Sequence, residues 1–455
     1  MEKQRKEVYF RELKSPLSVQ IEVTEKCNFN CLFCYNYWRQ SSSEVISISE
    51  NDADRIISEL IQNNVFSVTI TGGEPLLNYK TTLKLIRELN NKNINCSLNT
   101  NLSNLTENIG RELLEAGLKT ILFSFHSAKR NTFNNITSSS NGFDRVLEGI
   151  QIARKLGFNL TANMVLTKFN ANEVYETGKF LHDLGIKNFC VTKASPAWGI
   201  SRDRYTKLRV ERQELVQSLR DMIKLHNDLG MNIDILECYP LCFFPNEQDF
   251  SLFTSHKCMA GISTCTIGAD GNVRPCSHYH LSYGNIFNEP LKNIWERMKI
   301  YRKGNFIPEE CKKCKYLQYC SGGCRMEAFY YFKDPQKIDP WVDLNNNTNL
   351  ENLIRKQIDF TNFDRNQMFR INKKIKIREE DFGGILYLSN KGDVIITKKA
   401  LEIVKTLLTR NYFTVNGIIK EFDLNDKGIK FIESLIKRGF IIKFSTKGGD
   451  RNEKK

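Results

Sequence analysis

No window of this 455-residue chain approaches the roughly 20 apolar residues that a membrane-spanning helix needs, and the opening "MEKQRKEVYF" has no apolar run behind its charges. Both absences point away from a membrane or exported protein, and the expected location is the cytoplasm. Histidine is scarce, with six residues, whereas cysteine is abundant, with fourteen. In a compartment that keeps thiols reduced these cysteines do not form a disulfide framework, so the clustered ones are expected to be metal ligands. The formal charge of +14 suits a nucleic acid, an acidic peptide or a phosphorylated substrate, and does not choose among them. At 41% apolar content the chain can bury a large core and form two or three domains.

From residue 18 to 193, β-rich runs alternate with helical stretches. The strands are expected at 18–24, 66–71, 94–100, 120–126, 160–166 and 188–193. Between them lie segments of helical period such as "SENDADRIISELIQ", whose Ser49 and Asp52 make the S-x-x-D pattern that caps free helix N–H groups. Repeated β-α units imply a parallel sheet with its functional loops at the C-terminal ends of the strands. Two unusual loops fall there: Cys27, Cys31 and Cys34 follow the first strand, and "GGEP" (Gly72 to Pro75) follows the second.

Three cysteines at C-x3-C-x2-C spacing leave one position of a four-ligand site open. With Phe33 and Tyr35 beside Cys34 and GGEP after strand two, the pattern resembles the radical S-adenosylmethionine (SAM) enzymes. The resemblance implies an α/β partial (β/α)6 TIM-type barrel in which the three thiolates hold a 4Fe-4S cluster and SAM chelates the fourth iron. Reductive cleavage of SAM would then give a 5′-deoxyadenosyl radical able to take hydrogen from unactivated C–H positions. By the same resemblance Phe33, Tyr35, Gly72, Gly73, Glu74, Pro75, Asn99 and Ser124 are expected to contact the cofactor, the glycines by letting backbone approach the methionine amino group. Where many relatives carry a basic residue after the fourth strand, this chain has "FNNIT" at 133–137. A zinc knuckle competes for the three cysteines, but GGEP and the strand context favour the cluster.

A second cysteine set runs from Cys258 through Cys265 and Cys276 to "CKKCKYLQYCSGGC", which holds Cys311, Cys314, Cys320 and Cys324. It resembles the SPASM extension of radical SAM maturases, which holds one or two auxiliary iron–sulfur clusters. The resemblance assigns Cys258, Cys265, Cys276 and Cys324 to the first, and Cys311, Cys314 and Cys320 to the second. The fourth ligand of the second is missing: Val342 stands where relatives have cysteine, and the adjacent Asp343, a water or a substrate thiolate is expected to replace it. Cys96 and Cys190 are expected to pack as small hydrophobes; Cys238 and Cys242 in "ECYPLCFFP" have the C-x3-C spacing of a ligand pair, but their apolar neighbours favour packing for them too.

The Asn-rich stretch after residue 343 reads as a linker to residue 372. Beyond it, strands at 374–378, 384–389 and 393–397, a turn at Asn390 to Gly392, three helices and a closing strand suggest a winged-helix-like α+β domain. One helical face carries Leu401, Val404, Leu407 and Leu408, another Ile429, Ile432, Leu435 and Ile436, with Gly439 as a C-terminal cap. The domain resembles PqqD-like elements that bind leader peptides. DNA binding competes, since residues 373–443 hold 15 Lys or Arg against 9 Asp or Glu, and would make the chain a redox-sensing regulator. The expected domains are a radical SAM core at 1–235, a SPASM region at 236–343, the linker, a recognition domain at 373–446 and a tail at 447–455. The function implied is maturation of a ribosomally made precursor peptide through a thioether or carbon–carbon crosslink, with a reductase, flavodoxin or ferredoxin supplying electrons and no nucleic-acid partner. Action on a small molecule such as a tetrapyrrole is the alternative enzyme. No catalytic acid or base is assigned.

Overall fold

A computed structural model describes residues 12–36, 38, 44–196, 202–346, 350–354, 364–389 and 391–444. The expected tail, most of the expected linker's middle and Asn390 of the expected turn lie outside the described residues. The chain divides into two compact units, residues 1–355 and 356–455.

The first unit is built on one sheet. Its expected strands form as β1 (Ser18–Glu22), β2 (Ser67–Thr71), β3 (Asn95–Thr100), β4 (Thr120–Ser124), β5 (Asn159–Leu166) and β6 (Asn188–Lys193). They pair in parallel in chain order. A parallel sheet covered on both faces reads as continuous apolar runs; β1 to β4 alternate instead. Val19, Ile21, Val68, Ile70, Leu98, Ile121 and Phe123 are buried, while Gln20, Thr69, Ser97, Asn99 and Ser124 on the intervening positions are partly open. The apolar side packs on the helices and the polar side lines a hollow, which is what separates a partial barrel from a filled one. Cys96 falls on the apolar phase and is buried there, as expected of a small hydrophobe.

The helix Glu50–Gln62 starts with the expected box: Ser49 Oγ accepts from Asp52 N at 3.1 Å while the Asp52 carboxylate accepts from Ser49 N at 3.2 Å. Its face of Ala53, Ile56, Ile57 and Leu60 is buried.

Three further strands were not legible as strands. β7 (Asn232–Ile235) adds beside β6, and β8 (Thr264–Ile267) adds in parallel on the other flank beside β1, followed by the antiparallel β9 (Val273–Arg274). One nine-stranded sheet therefore runs across the expected boundary at residue 235, and the cysteine-rich segment grows out of the barrel's own edge. The start of the expected linker also belongs to this unit. Leu350 N donates to Tyr316 Oη at 3.0 Å, and the Leu353 carbonyl accepts from Thr254 Oγ1 at 2.6 Å.

In the second unit the expected strands form as β11 (Lys376–Glu380), β12 (Gly383–Leu388) and β13 (Gly392–Thr397), an antiparallel sheet in that order. A second small sheet places β10 (Met368–Ile371) between β14 (Phe413–Thr414) and β15 (Ile441–Lys443). β10 thus lies in what the sequence offered as linker. Three helices, Lys398–Leu408, Val415–Glu421 and Asp426–Lys437, complete the unit. Leu401, Val404, Leu407, Ile432 and Leu435 enter its core as expected, but Leu408 is exposed. Gly439 takes a left-handed φ of 77° just past the last helix, the conformation that favours glycine there.

Candidate cofactor and cluster sites

The first cysteine loop is held from both ends by main-chain hydrogen bonds. Asn30 N donates to Thr137 O at 3.1 Å and Leu32 N to Ile136 O at 2.9 Å, so the "FNNIT" segment buttresses this loop. At its start, Gly73 N donates to Thr24 O at 2.6 Å and Glu74 N to Lys26 O at 2.7 Å, which lays GGEP against the residues before Cys27. The glycines are required for that reason. A Cβ on Gly72, whose φ is 147°, would sit 2.6 Å from Thr24 O, and one on Gly73 would collide with Lys26 O. Their close partner is protein backbone, so packing of the loop alone already requires glycine at both positions.

Glu74 fastens the loop. It is 1% exposed, and Oε1 accepts from Leu76 N at 3.0 Å and Thr100 Oγ1 at 2.6 Å while Oε2 accepts from Asn101 N at 2.7 Å. Burial raises its pKa, opposed by these donors. Pro75 is buried and opens the 3-10 turn Pro75–Asn78 beneath the loop rather than lining the hollow.

A cavity of about 570 Å³ fills the polar side of the sheet. Cys27, Cys31, Cys34, Phe33, Tyr35, Gly72, Gly73, Glu74, Asn99 and Ser124 all line it. Cys238, Cys258, Cys276 and Cys324 line the same cavity. Cys238 hydrogen-bonds with Cys258 and Cys324, which drives the Cys238 thiol well up, while sharing with Cys238 pulls Cys258 down. Burial pushes Cys276 up to about 12, helped by Cys324 and Cys258. Cys265 does not join them. It is 1% exposed on β8, where Thr264 faces the cavity and the period of two turns Cys265 to the other side. Cys238, expected to pack, stands in its place.

A second, smaller hollow is lined by Cys242, Cys311, Cys314 and Cys320, with Val342 and Leu344 beside them. Burial pushes Cys242 up to about 11 and Cys311 up to about 12, each raised further by its neighbouring thiols. Asp343 is not among the residues that line this hollow. Its carboxylate faces Arg212 at 3.4 Å and accepts from Asn345 N at 3.1 Å, while its N–H donates to Cys242 Sγ at 3.4 Å.

Several side chains in or behind the cavity wall carried no sequence signal. Lys193, at the end of β6, is fully buried between Glu327 at 2.6 Å and Glu237 at 3.9 Å. His126 meets the Phe33 ring edge-on at 4.7 Å, and its Nδ1 accepts from Val165 N at 3.2 Å; burial pulls its pKa down to about 3, so it is neutral. His278 packs on Tyr35 at 4.2 Å and is likewise pulled down, to about 4, by burial and by Lys193 and Arg274. Arg274 forms a buried ion pair with Glu22 and donates to the Ser277 and Tyr279 carbonyls at 3.4 and 3.3 Å, fixing the loop that carries Cys276. Asp339 accepts from Cys324 N at 2.5 Å and Trp341 N at 2.8 Å. All are found only when distant segments meet.

All fourteen cysteines are described and none is in a disulfide. No three His, Cys, Asp or Glu side chains among the described residues close on a single ion, and a cubane does not ask for that, because each of its irons takes one thiolate. Sets of three, four and four thiols fit iron–sulfur clusters. Cys242, Cys276 and Cys311 resist ionisation by themselves, and bound iron would supply the positive charge that offsets it.

Comparison with known proteins agrees. Residues 21–181 match the Radical SAM superfamily, and residues 258–321 match SPASM, an iron-sulfur cluster-binding domain. The AdoMet-dependent heme synthase of Methanosarcina barkeri is 25% identical over 350 residues, covering 72% of this chain and 96% of that protein. The PqqA peptide cyclase of Bradyrhizobium diazoefficiens is 24% identical over 340 residues, covering 71% and 85%. The fold is similar to that of Streptococcus suis SuiB bound to precursor peptide SuiA, with TM-score 0.58 and 20% identity over 74% of this chain and 77% of that one. Among the described residues no helix is long and apolar enough to cross a membrane. Radical SAM domains bind a 4Fe-4S cluster and SAM, and SPASM domains bind auxiliary clusters; this chain carries both domains and is a radical SAM enzyme.

Proposed function

We propose that this enzyme matures a ribosomally made precursor peptide in the cytoplasm, forming a thioether or carbon–carbon crosslink. The observation that carries the reading is a single cavity lined by both the three-thiol set and a four-thiol set, so that a substrate held in it has a hydrogen-abstracting site and an electron acceptor within one space. When bound, the cluster at Cys27, Cys31 and Cys34 and its SAM supply a 5′-deoxyadenosyl radical. The chain's own residues do the holding: Gly73, Glu74 and Asn99 would shape the SAM side, with Phe33 packed on neutral His126 in the lining.

Similarity to the PqqA peptide cyclase supports a peptide substrate. So does the second unit, which we read as a PqqD-like leader-binding element. Its β13 pairs only with β12 among the described residues, leaving an edge on which Ile395 is 44% exposed. An extended leader adding as a further strand would satisfy that edge. Electrons would come from a reductase, flavodoxin or ferredoxin.

Similarity to the heme synthase favours a tetrapyrrole as the second reading. The two separate in one assay. Anaerobic enzyme with SAM, reductant and each short peptide encoded beside the gene should convert one of them to a product lighter by two hydrogens. Turnover of a tetrapyrrole with no effect on any peptide would replace the reading.

A further inference from the structure

We propose that Cys242 supplies the fourth thiolate of the second auxiliary cluster and so closes that cluster to substrate. The inference rests on the SPASM domain and is independent of whether the substrate is a peptide.

Four thiols line the second hollow, and Cys242 is the one that comes from outside the cysteine array. Its backbone is unusually well fixed. The Cys242 carbonyl accepts from Asn346 Nδ2 at 2.9 Å and from Arg212 at 3.3 Å, and both donors also hold a neighbour, Phe244 O at 2.9 Å and Phe243 O at 2.7 Å. The segment after Val342 folds back to meet it, through Asp343 N to Cys242 Sγ at 3.4 Å. N–H donation to a ligating sulfur is the usual support of a thiolate at a cluster. Val342 lines the same hollow, so the position that lost its sulfur still faces the space that Cys242 now completes. With four thiolates no iron is left for a substrate sulfur, which removes the open coordination site that the array alone implied.

The Cys238 to Cys242 segment gains a second role. Cys238 lines the large cavity with Cys258, Cys276 and Cys324, while Cys242 lines the small one. One stretch of backbone across Tyr239, Pro240 and Leu241 therefore joins one ligand of each auxiliary cluster.

The full-length protein, reconstituted anaerobically, tests this by iron and sulfide content and by electron paramagnetic resonance (EPR) after reduction. Cys242→Ala should lose about a third of the iron, one share of the roughly twelve held by three 4Fe-4S clusters. Cys242→Ala combined with Val342→Cys should regain it, and Asp343→Ala should keep it. Full iron and an unchanged spectrum in Cys242→Ala, or loss in Asp343→Ala alone, would overturn the assignment. Should Cys242→Ala fail to fold, wild-type protein saturated with SAM decides: added 2-mercaptoethanol should leave the auxiliary spectra unchanged, and a shift would mean an open iron.

Discussion

Gly73 and Glu74 act together on one loop. An added Cβ at Gly73 would push the Lys26 carbonyl, break its hydrogen bond from Glu74 N, and shift the backbone that leads into Cys27. Gly73→Ala should weaken SAM binding by tenfold or more in equilibrium dialysis, with iron at the auxiliary sites retained. Unchanged SAM affinity would show that the loop tolerates the shift. His126 gives a pH prediction. Its folded pKa, about 3, lies below the ordinary 6.5, so its stability contribution is present above pH 6.5 and is lost as pH falls toward 3, by about 1.4 kcal/mol per unit. Folding stability of His126→Gln should therefore fall less steeply over that range than wild type, read as the difference between two urea titrations. Parallel curves would mean His126 is protonated in the fold.

At the level of elements, the first six strands were legible because each is a β-rich run of five to eight residues between helical stretches, whereas β7, β8 and β9 are two to four residues long and carry too little pattern. β10 was missed because its pairing partners, β14 and β15, lie more than forty residues on and give no local signal. β13 carries a prediction. Ile395→Asp on the open edge should weaken binding of a fluorescent leader peptide about tenfold, roughly 1.4 kcal/mol, while SAM cleavage without peptide stays unchanged. Tight, salt-sensitive binding of duplex DNA with no affinity for any neighbouring peptide would point to a different partner.

Across the whole molecule, the first set of thiols was fully legible in the sequence and the grouping of the others only in part, for a physical reason. Cys27, Cys31 and Cys34 sit in one loop, so spacing suffices. Auxiliary ligands come from segments far apart, and sheet phase decides which sulfurs face inward: it turns Cys265 away. In "ECYPLCFFP" the aromatics misled, because Tyr239, Phe243 and Phe244 are themselves buried and thereby hold the less buried Cys238 and Cys242 toward their two hollows. The central claim is that the three-thiol wall of the large cavity is where SAM is cleaved. Its most direct test is 5′-deoxyadenosine formation, under strictly anaerobic reducing conditions, by wild type and by the variant with Cys27→Ala, Cys31→Ala and Cys34→Ala together. The variant should form none while keeping roughly two-thirds of the iron; undiminished 5′-deoxyadenosine formation would contradict the account.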